Sequence, residues 1–150
     1  MQEWWSWALY YTKGLFQPLI QSVIICCAIK AESGGNRFRR SGYVNAEGIR
    51  EDSVGLFQMY RYGAGAKYVP ELHNGIDLRE SPFIQFDVMA PRFNSNFITG
   101  WNMGLREAEL CKYVCGKTEV SDPSYWNGYA IAWHTLTKNL EWHEALTEGF

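Results

Sequence analysis

The chain has 150 residues, enough for one domain with a real core and little more. Its 14 basic and 16 acidic residues leave a formal charge of −2, which provides no basic face for nucleic acid, and 47% hydrophobic against 20% charged residues excludes a disordered chain. Aromatic residues are the outlier at 16%, and their flat faces suit either a dense core or a groove for sugar rings.

The N-terminal run Met1-Gln2-Glu3-Trp4-Trp5 lacks the basic start and small-residue cleavage site of a signal peptide, so none is expected. Trp4, Ala8, Tyr11 and Leu15 recur at helical spacing and predict an aromatic helix over residues 3–16, ended near Gly14 and by Pro18 beyond. Trp4, Trp5 and Trp7 would also suit a membrane interface, but the polar side carries too little Lys and Arg, which favours core packing. A second helix is expected from Pro18 to about Ser33. Its apolar face of Ile20, Val23, Ile24, Cys27, Ala28 and Ala31, widened by Ile25 and Ile29, predicts a nearly buried rod stopped by Gly34-Gly35. The apolar stretch from Leu19 to Ile29 falls short of the about 20 residues that cross a bilayer, so no stable membrane span is expected.

Residues 36–53 read as a polar, Gly-containing loop, and residues 53–62 as a short extended or turn segment around Gly55, part of a small hairpin. Ser81-Pro82 opens a third helix that runs through Met89, with Pro91 kinking or ending it. Two more helices are expected over 104–115 and 124–137, separated by a turn at Ser121-Asp122-Pro123. No repeat, low-complexity run or linker interrupts the chain, so a single α+β, mostly helical domain is expected over 1–150.

The four cysteines suit no disulfide scaffold. Cys26 and Cys27 are adjacent, and Cys111 and Cys115 share a helix face as metal ligands can, but no paired His spacing completes a zinc site. Buried free thiols are the simpler reading, and no metal or cofactor is expected.

Glu32 stands out on its own helix, four residues after Ala28 and seven after Ile25, on the apolar side and at the C-terminal end. Desolvation and the negative end of the helix dipole both disfavour its charged form. A carboxyl kept protonated near neutral pH is what a general acid needs to protonate a leaving oxygen. The alternative is a surface Glu at a frayed helix end.

The residues around it resemble a known pair of motifs. Ala31-Glu32-Ser33-Gly34-Gly35-Asn36, followed by Ser53-Val54-Gly55-Leu56-Phe57-Gln58-Met59, is similar to the helix ending E-S-G and the later G-L-M-Q of the soluble lytic transglycosylase and goose-type lysozyme family. Phe57 stands where Met is usual. A third family element, A-x-x-Y-N-x-G on a late helix, matches less well: Ala130-Ile131-Ala132-Trp133-His134 has Trp and His in place of Tyr and Asn. The resemblance spans roughly residues 19–137, and its first two motifs are the specific ones.

What the resemblance implies is a lysozyme-like fold with a small β element beside the catalytic helix, and Glu32 as general acid. Gly55, Leu56, Phe57, Gln58 and Met59 would wall a sugar groove. Gln58 would meet an N-acetyl or hydroxyl group, unless it is a turn residue bonded to its own backbone. Gly55 would bring the backbone close to substrate, or serve as an ordinary turn glycine. Ser33 would close the helix end or touch substrate. Trp133 and His134 sit where the family places a Tyr-Asn pair, with His134 a hydrogen-bond partner for Glu32 or a structural His. Tyr60, Tyr62 and Trp126 would stack on sugars or pack in the core.

Glycoside cleavage normally takes two carboxyl groups, but lytic transglycosylases need only the acid, since the muramic sugar's own hydroxyl attacks and the acid returns as base. In the goose-type alternative, inversion would use a second carboxylate, with Asp52 the candidate and Glu47 and Glu51 behind it. The expected activity is cleavage of the β-1,4 bond between N-acetylmuramic acid and N-acetylglucosamine in peptidoglycan. A chitinase, an inverting muramidase and a non-catalytic glycan-binding or virion structural module are the alternatives. A leaderless chain of this kind looks like a bacteriophage product, either an endolysin released through a holin or a virion component acting at entry on periplasmic peptidoglycan. Other virion proteins would be its partners, through the aromatic first helix.

Overall fold

The structure, a computed structural model, describes residues 2–68, 77–116 and 123–138. Among these it contains five α-helices and one two-stranded antiparallel sheet, the expected α+β, mostly helical build. No helix among the described residues is long and apolar enough to cross a membrane. The chain divides into two compact units, one of Met1–Ala31 with Ala90–Phe150 and one of Glu32–Met89.

In the first unit, helix α1 (Gln2–Thr12) ends four residues earlier than the apolar stripe predicts. Thr12 closes it: its hydroxyl bonds the Ala8 carbonyl at 2.9 Å and the Ser22 hydroxyl at 2.7 Å, and Gly14 follows at φ +79°. Trp4 and Ala8 are buried as the stripe requires, while Leu15 lies in the turn beyond. Helix α2 (Pro18–Ser33) is buried on every side from Ile20 to Ile29, so its sequence is apolar with no polar face. Ala31, assigned by periodicity to the apolar face, is exposed because the helix leaves the core after Ile29.

Helix α3 (Pro82–Asn102) continues past Pro91, so of the kink or end that the sequence predicts there the end at Met89 is corrected. Proline there removes one N–H and costs about 3 kcal/mol in a helix interior. Continuing the helix buries Phe93 and Phe97, each worth about 1.5–3 kcal/mol, and Pro91 itself sits on the exposed side. Phe97 stacks with Trp101 at 5.7 Å, and Phe16 meets both rings. Gly100 permits the close approach of Tyr113 and Leu110, whose side chains a Cβ would overlap at 2.7 and 2.9 Å. Helices α4 (Glu107–Gly116) and α5 (Pro123–Thr137) pack on one another, with Cys111 and Tyr129 buried between them. Ser121 and Asp122, read as a turn, lie outside the described residues.

The second unit carries the sheet. Strands β1 (Ser53–Val54) and β2 (Met59–Tyr60) pair as Ser53 with Tyr60 and Val54 with Met59, the hairpin expected around Gly55. Residues 36–53 are more ordered than a polar loop. Val44 bridges Arg50, Asn45 Oδ1 accepts from the Glu47 and Ile49 amides at 2.9 Å, and Arg40 bridges Val54. A 3-10 turn over Leu78–Glu80, capped by Asp77, leads into α3.

Candidate active site

Glu32 is the penultimate residue of α2, half-buried, where the helix emerges from its apolar surroundings. Ser33 is buried and closes the helix: its carbonyl accepts from Asn36 N at 3.2 Å and its hydroxyl from Gly35 N at 3.2 Å. Ser33 therefore has a structural task whatever else it does. Two successive turns, Ser33 to Asn36 and Asn36 to Arg39, carry the chain to the hairpin. There the Arg39 carbonyl accepts from Gly55 N at 2.9 Å and from Gln58 Nε2 at 3.0 Å. One backbone oxygen, three residues past the first motif, thus holds two residues of the second motif's turn.

Within the second motif, most side chains turn inward. Leu56, Phe57 and Met59, expected in the wall of a sugar groove, have buried side chains, and Phe57 meets Phe86 edge-on at 5.2 Å. Gln58 is the exception, half-exposed in left-handed backbone at φ +51°. Its amide nitrogen is engaged by Arg39 O and Gly55 O, so what it offers a ligand is the carbonyl Oε1. Gly55 is buried at φ +93°, and a Cβ there would overlap the Gln85 side-chain amide and lie 2.8 Å from Arg79 O. The residue needs to be glycine for packing as well as conformation, and the close partner is Gln85, not an external ligand.

Two residues that the sequence reading passed over hold this unit together. Gln85, fully buried, accepts from Phe57 N at 3.2 Å and donates to Val54 O at 3.1 Å and to Arg79 O. Arg79, also fully buried, donates to Asp52 Oδ1 at 2.8 Å, to both Asp77 oxygens at 3.1 Å and to the carbonyls of Asp52 and Met59. Arg40 reaches Asp77 at 2.7 Å from the other side. Burial opposes the charge on Asp77, but the hydrogen bonds from Arg79 and Arg40 outweigh it and hold the carboxyl below the usual range. Burial likewise opposes the charge on Arg79, and its bonds to Asp77 and Asp52 overcome that and raise its pKa. The signal for Gln85 was in the sequence, where it falls on the apolar stripe of α3 with Pro82, Phe86 and Met89.

Asp52, the candidate second carboxylate, is half-exposed, bonded to Arg79 at 2.8 Å and 3.6 Å from Arg61. It lines a groove of about 340 Å³ together with Tyr43, Asn45, Arg50, Glu51, Tyr60, Arg61 and Tyr62. Tyr60 and Tyr62, for which the sequence favours core packing over sugar stacking, are instead exposed and lie edge to face at 5.7 Å; Tyr43, which the sequence did not single out, faces the same groove at 63% exposure. Three exposed phenol rings among charged and amide groups can hold a sugar by ring stacking and hydrogen bonds. Glu32 is not among the residues lining this groove. Glu47, the remaining acid considered, is exposed in the turn that Asn45 caps.

Trp133 and His134 belong to the other unit, on α5. Trp133, expected beside the acid, is buried at 5% exposure, and His134 is exposed. The side chain of Trp126 lies outside the described residues. Among the described residues, no cluster of three or more Cys, His, Asp or Glu could hold a metal ion. In comparisons with family models, curated proteins and solved structures, nothing matches this chain.

Proposed function

We propose that this protein is a peptidoglycan-degrading glycosidase that cleaves the β-1,4 bond between N-acetylmuramic acid and N-acetylglucosamine, with Glu32 as the acid. The observation that carries this reading is that the helix end at Glu32-Ser33 and the Gly55–Met59 turn lie in one compact unit, although some twenty residues separate them in sequence; two successive turns lead from Ser33 to Arg39, whose carbonyl accepts from Gly55 N and Gln58 Nε2. Glu32 gives its proton to the glycosidic oxygen as the bond to the reactive carbon breaks. The muramic sugar's own hydroxyl then attacks that carbon, and the Glu32 carboxylate takes up the hydroxyl proton, leaving an anhydro end. The route needs no second carboxylate; Asp52, the candidate for one, is ion-paired to Arg79 at 2.8 Å and lines a groove that Glu32 does not.

Glu32→Gln keeps size and polarity but has no proton to give. Lysis of purified cell walls, read as turbidity loss, should fall about 10²–10⁴-fold with the circular dichroism unchanged. Near-normal lysis by the folded variant refutes the assignment, and mass spectrometry of the wild-type digest separates anhydro from hydrated ends. A second reading, a glycan-binding module without catalysis, draws on the tyrosine groove, which Glu32 does not line. Under that reading wild-type protein retains wall fragments, releases no muropeptides, and loses binding on Tyr62→Ala.

A further inference from the structure

We propose that the groove of Tyr43, Tyr60 and Tyr62 binds a sugar ring that carries a carboxylate, with Arg50 as the residue that pairs with the acid. The inference rests on reading this groove as a sugar site and is independent of what Glu32 does. All of the lining residues belong to the second unit. Backbone bonds fix both sides. Asn45 N donates to Ile49 O and Glu51 N to Tyr43 O, each at 2.9 Å, around the Val44–Arg50 bridge. Arg61 N donates to Asp52 O at 2.9 Å, beside the β1–β2 pair.

The rings supply the stacking surface. Tyr43, Tyr60 and Tyr62 are 63%, 40% and 77% exposed, and large apolar side chains gathered in solvent around one concavity mark a binding surface. Tyr60 and Tyr62 meet edge to face at 5.7 Å, so a pyranose resting on one ring touches the edge of the other. The volume of about 340 Å³ lies near the lower end of the range of ligand pockets, which suits a small ligand.

The charged groups determine what kind of sugar fits. Of the two arginines in the groove, Arg61 lies 3.6 Å from Asp52 and over the Tyr62 ring. Arg50 donates Nε to the Ser41 carbonyl and forms no ion pair with a described residue, so its two Nη groups are what it offers a ligand. That edge of a guanidinium matches a carboxylate with two parallel hydrogen bonds. Glu51 and Asp52 line the same groove, so a doubly charged phosphate monoester meets more repulsion there than a carboxylate does. Ring hydroxyls both donate and accept, and the groove has groups for each. Glu51 Oε1 accepts from the Ser53 hydroxyl at 2.6 Å, which holds the carboxylate in place with Oε2 to accept from a sugar. Asn45 Oδ1 is taken by the Glu47 and Ile49 amides, which turns its Nδ2 into the donor.

The test is NMR titration of the isotope-labelled full chain with N-acetylmuramic acid, glucuronic acid, N-acetylglucosamine and sodium acetate. The first two carry a carboxylate on a sugar ring, the third has the ring alone and the fourth the carboxylate alone. At least one of the two acids should shift the amides of the groove residues and bind about tenfold or more tighter than N-acetylglucosamine or acetate, the gain expected from a charge-assisted bond. Binding of N-acetylmuramic acid alone assigns the groove to the wall sugar, binding of glucuronic acid alone to uronates, and binding of both to acidic rings at large. Arg50→Gln should abolish the preference for the acids, whereas Tyr62→Ala should weaken all three sugars. N-acetylglucosamine or acetate binding as tightly as the acids, an Arg50→Gln variant that keeps the preference, shifts confined to residues outside the groove, or no shift with any ligand would each overturn the proposal. Neutral and acidic sugars binding equally in the groove would refute acid recognition and leave the sugar site standing, whereas no shift at all would refute both. None of these ligands has a glycosidic bond to cleave, so the outcome does not depend on Glu32. Arg50 and Tyr62 are exposed, and the wild-type titration alone decides the matter where a variant fails to fold.

Discussion

Replacing Arg79 with methionine keeps the length of the side chain and removes its charge and all its donors. In the wild type those donors satisfy the Asp77 carboxylate at 3.1 Å, the Asp52 carboxylate at 2.8 Å and two hairpin carbonyls. The loss is not the sum of these bonds. Asp52 is 35% exposed at its side chain, so water re-solvates most of its charge. Asp77, 4% exposed at its side chain, keeps Arg40 at 2.7 Å as its one remaining cation among the described residues. Breaking a buried pair by removing one partner costs about 3–5 kcal/mol, and with Arg40 retained the lower end applies, about 3 kcal/mol. For a chain of this length unfolding as one transition, that lowers Tm by about 6–12 °C. Thermal unfolding at pH 7 followed by circular dichroism measures it, and Arg79→Lys, which keeps the charge but not the fork, should fall between the two. A methionine variant melting within about 2 °C of wild type would mean that Arg79 is not what holds Asp77 and the hairpin together.

Gly55→Ala should destabilise by about 2–5 kcal/mol, combining left-handed backbone with overlap on Gln85; urea unfolding measures it, and an unchanged midpoint would show that the turn has room. Because the folded Asp77 carboxyl lies below its ordinary pKa, its stabilisation is complete above about pH 4 and is lost as pH falls through the folded-state value. Tm measured from pH 5 down to pH 2 should therefore drop, and drop less in Arg79→Met; equal slopes would contradict the pairing. Asp52→Asn keeps an acceptor for Arg79, so under the single-acid route wall lysis should fall by much less than the about 10²-fold that losing a proton-transfer group costs. A dead Asp52→Asn variant with hydrated products would instead make water the nucleophile.

The elements most legible in the sequence were those governed by local rules. Pro18 at the first turn and Gly34-Gly35 at the end bracket α2 as observed, and Gly55 marks the hairpin turn. Pro91 misled because a local cost was outweighed by the burial of Phe93 and Phe97, a tertiary gain that no local rule weighs. In the candidate site, Glu32 and the Gly55–Met59 run were visible as motifs, but which side chains faced outward was not. Leu56, Phe57 and Met59 went to the core, and Gln58 alone stayed at the surface. Arg79 and Asp77 were invisible, since a charged residue two positions from another reads as surface until their burial and shared partners are known. Tyr43 was missed for the same kind of reason. Its place beside Tyr60 and Tyr62 depends on the Val44–Arg50 bridge, which folds a stretch that reads as a polar loop.

The guanidinium of Arg79 at the centre of the second unit also makes the choice of denaturant informative. Urea weakens apolar burial and peptide bonding but leaves ion pairs unscreened, whereas guanidinium chloride is at once denaturant, salt and a free copy of the arginine head group. The unit that holds Gln85, Arg79, Asp77 and Asp52 around a two-residue-stranded hairpin owes much of its order to directional charged bonds. The other unit is built on the apolar sides of α2, α3 and α4. In guanidinium the amides of residues 53–60 should therefore lose hydrogen-exchange protection ahead of those of α2, and in urea the gap between them should narrow.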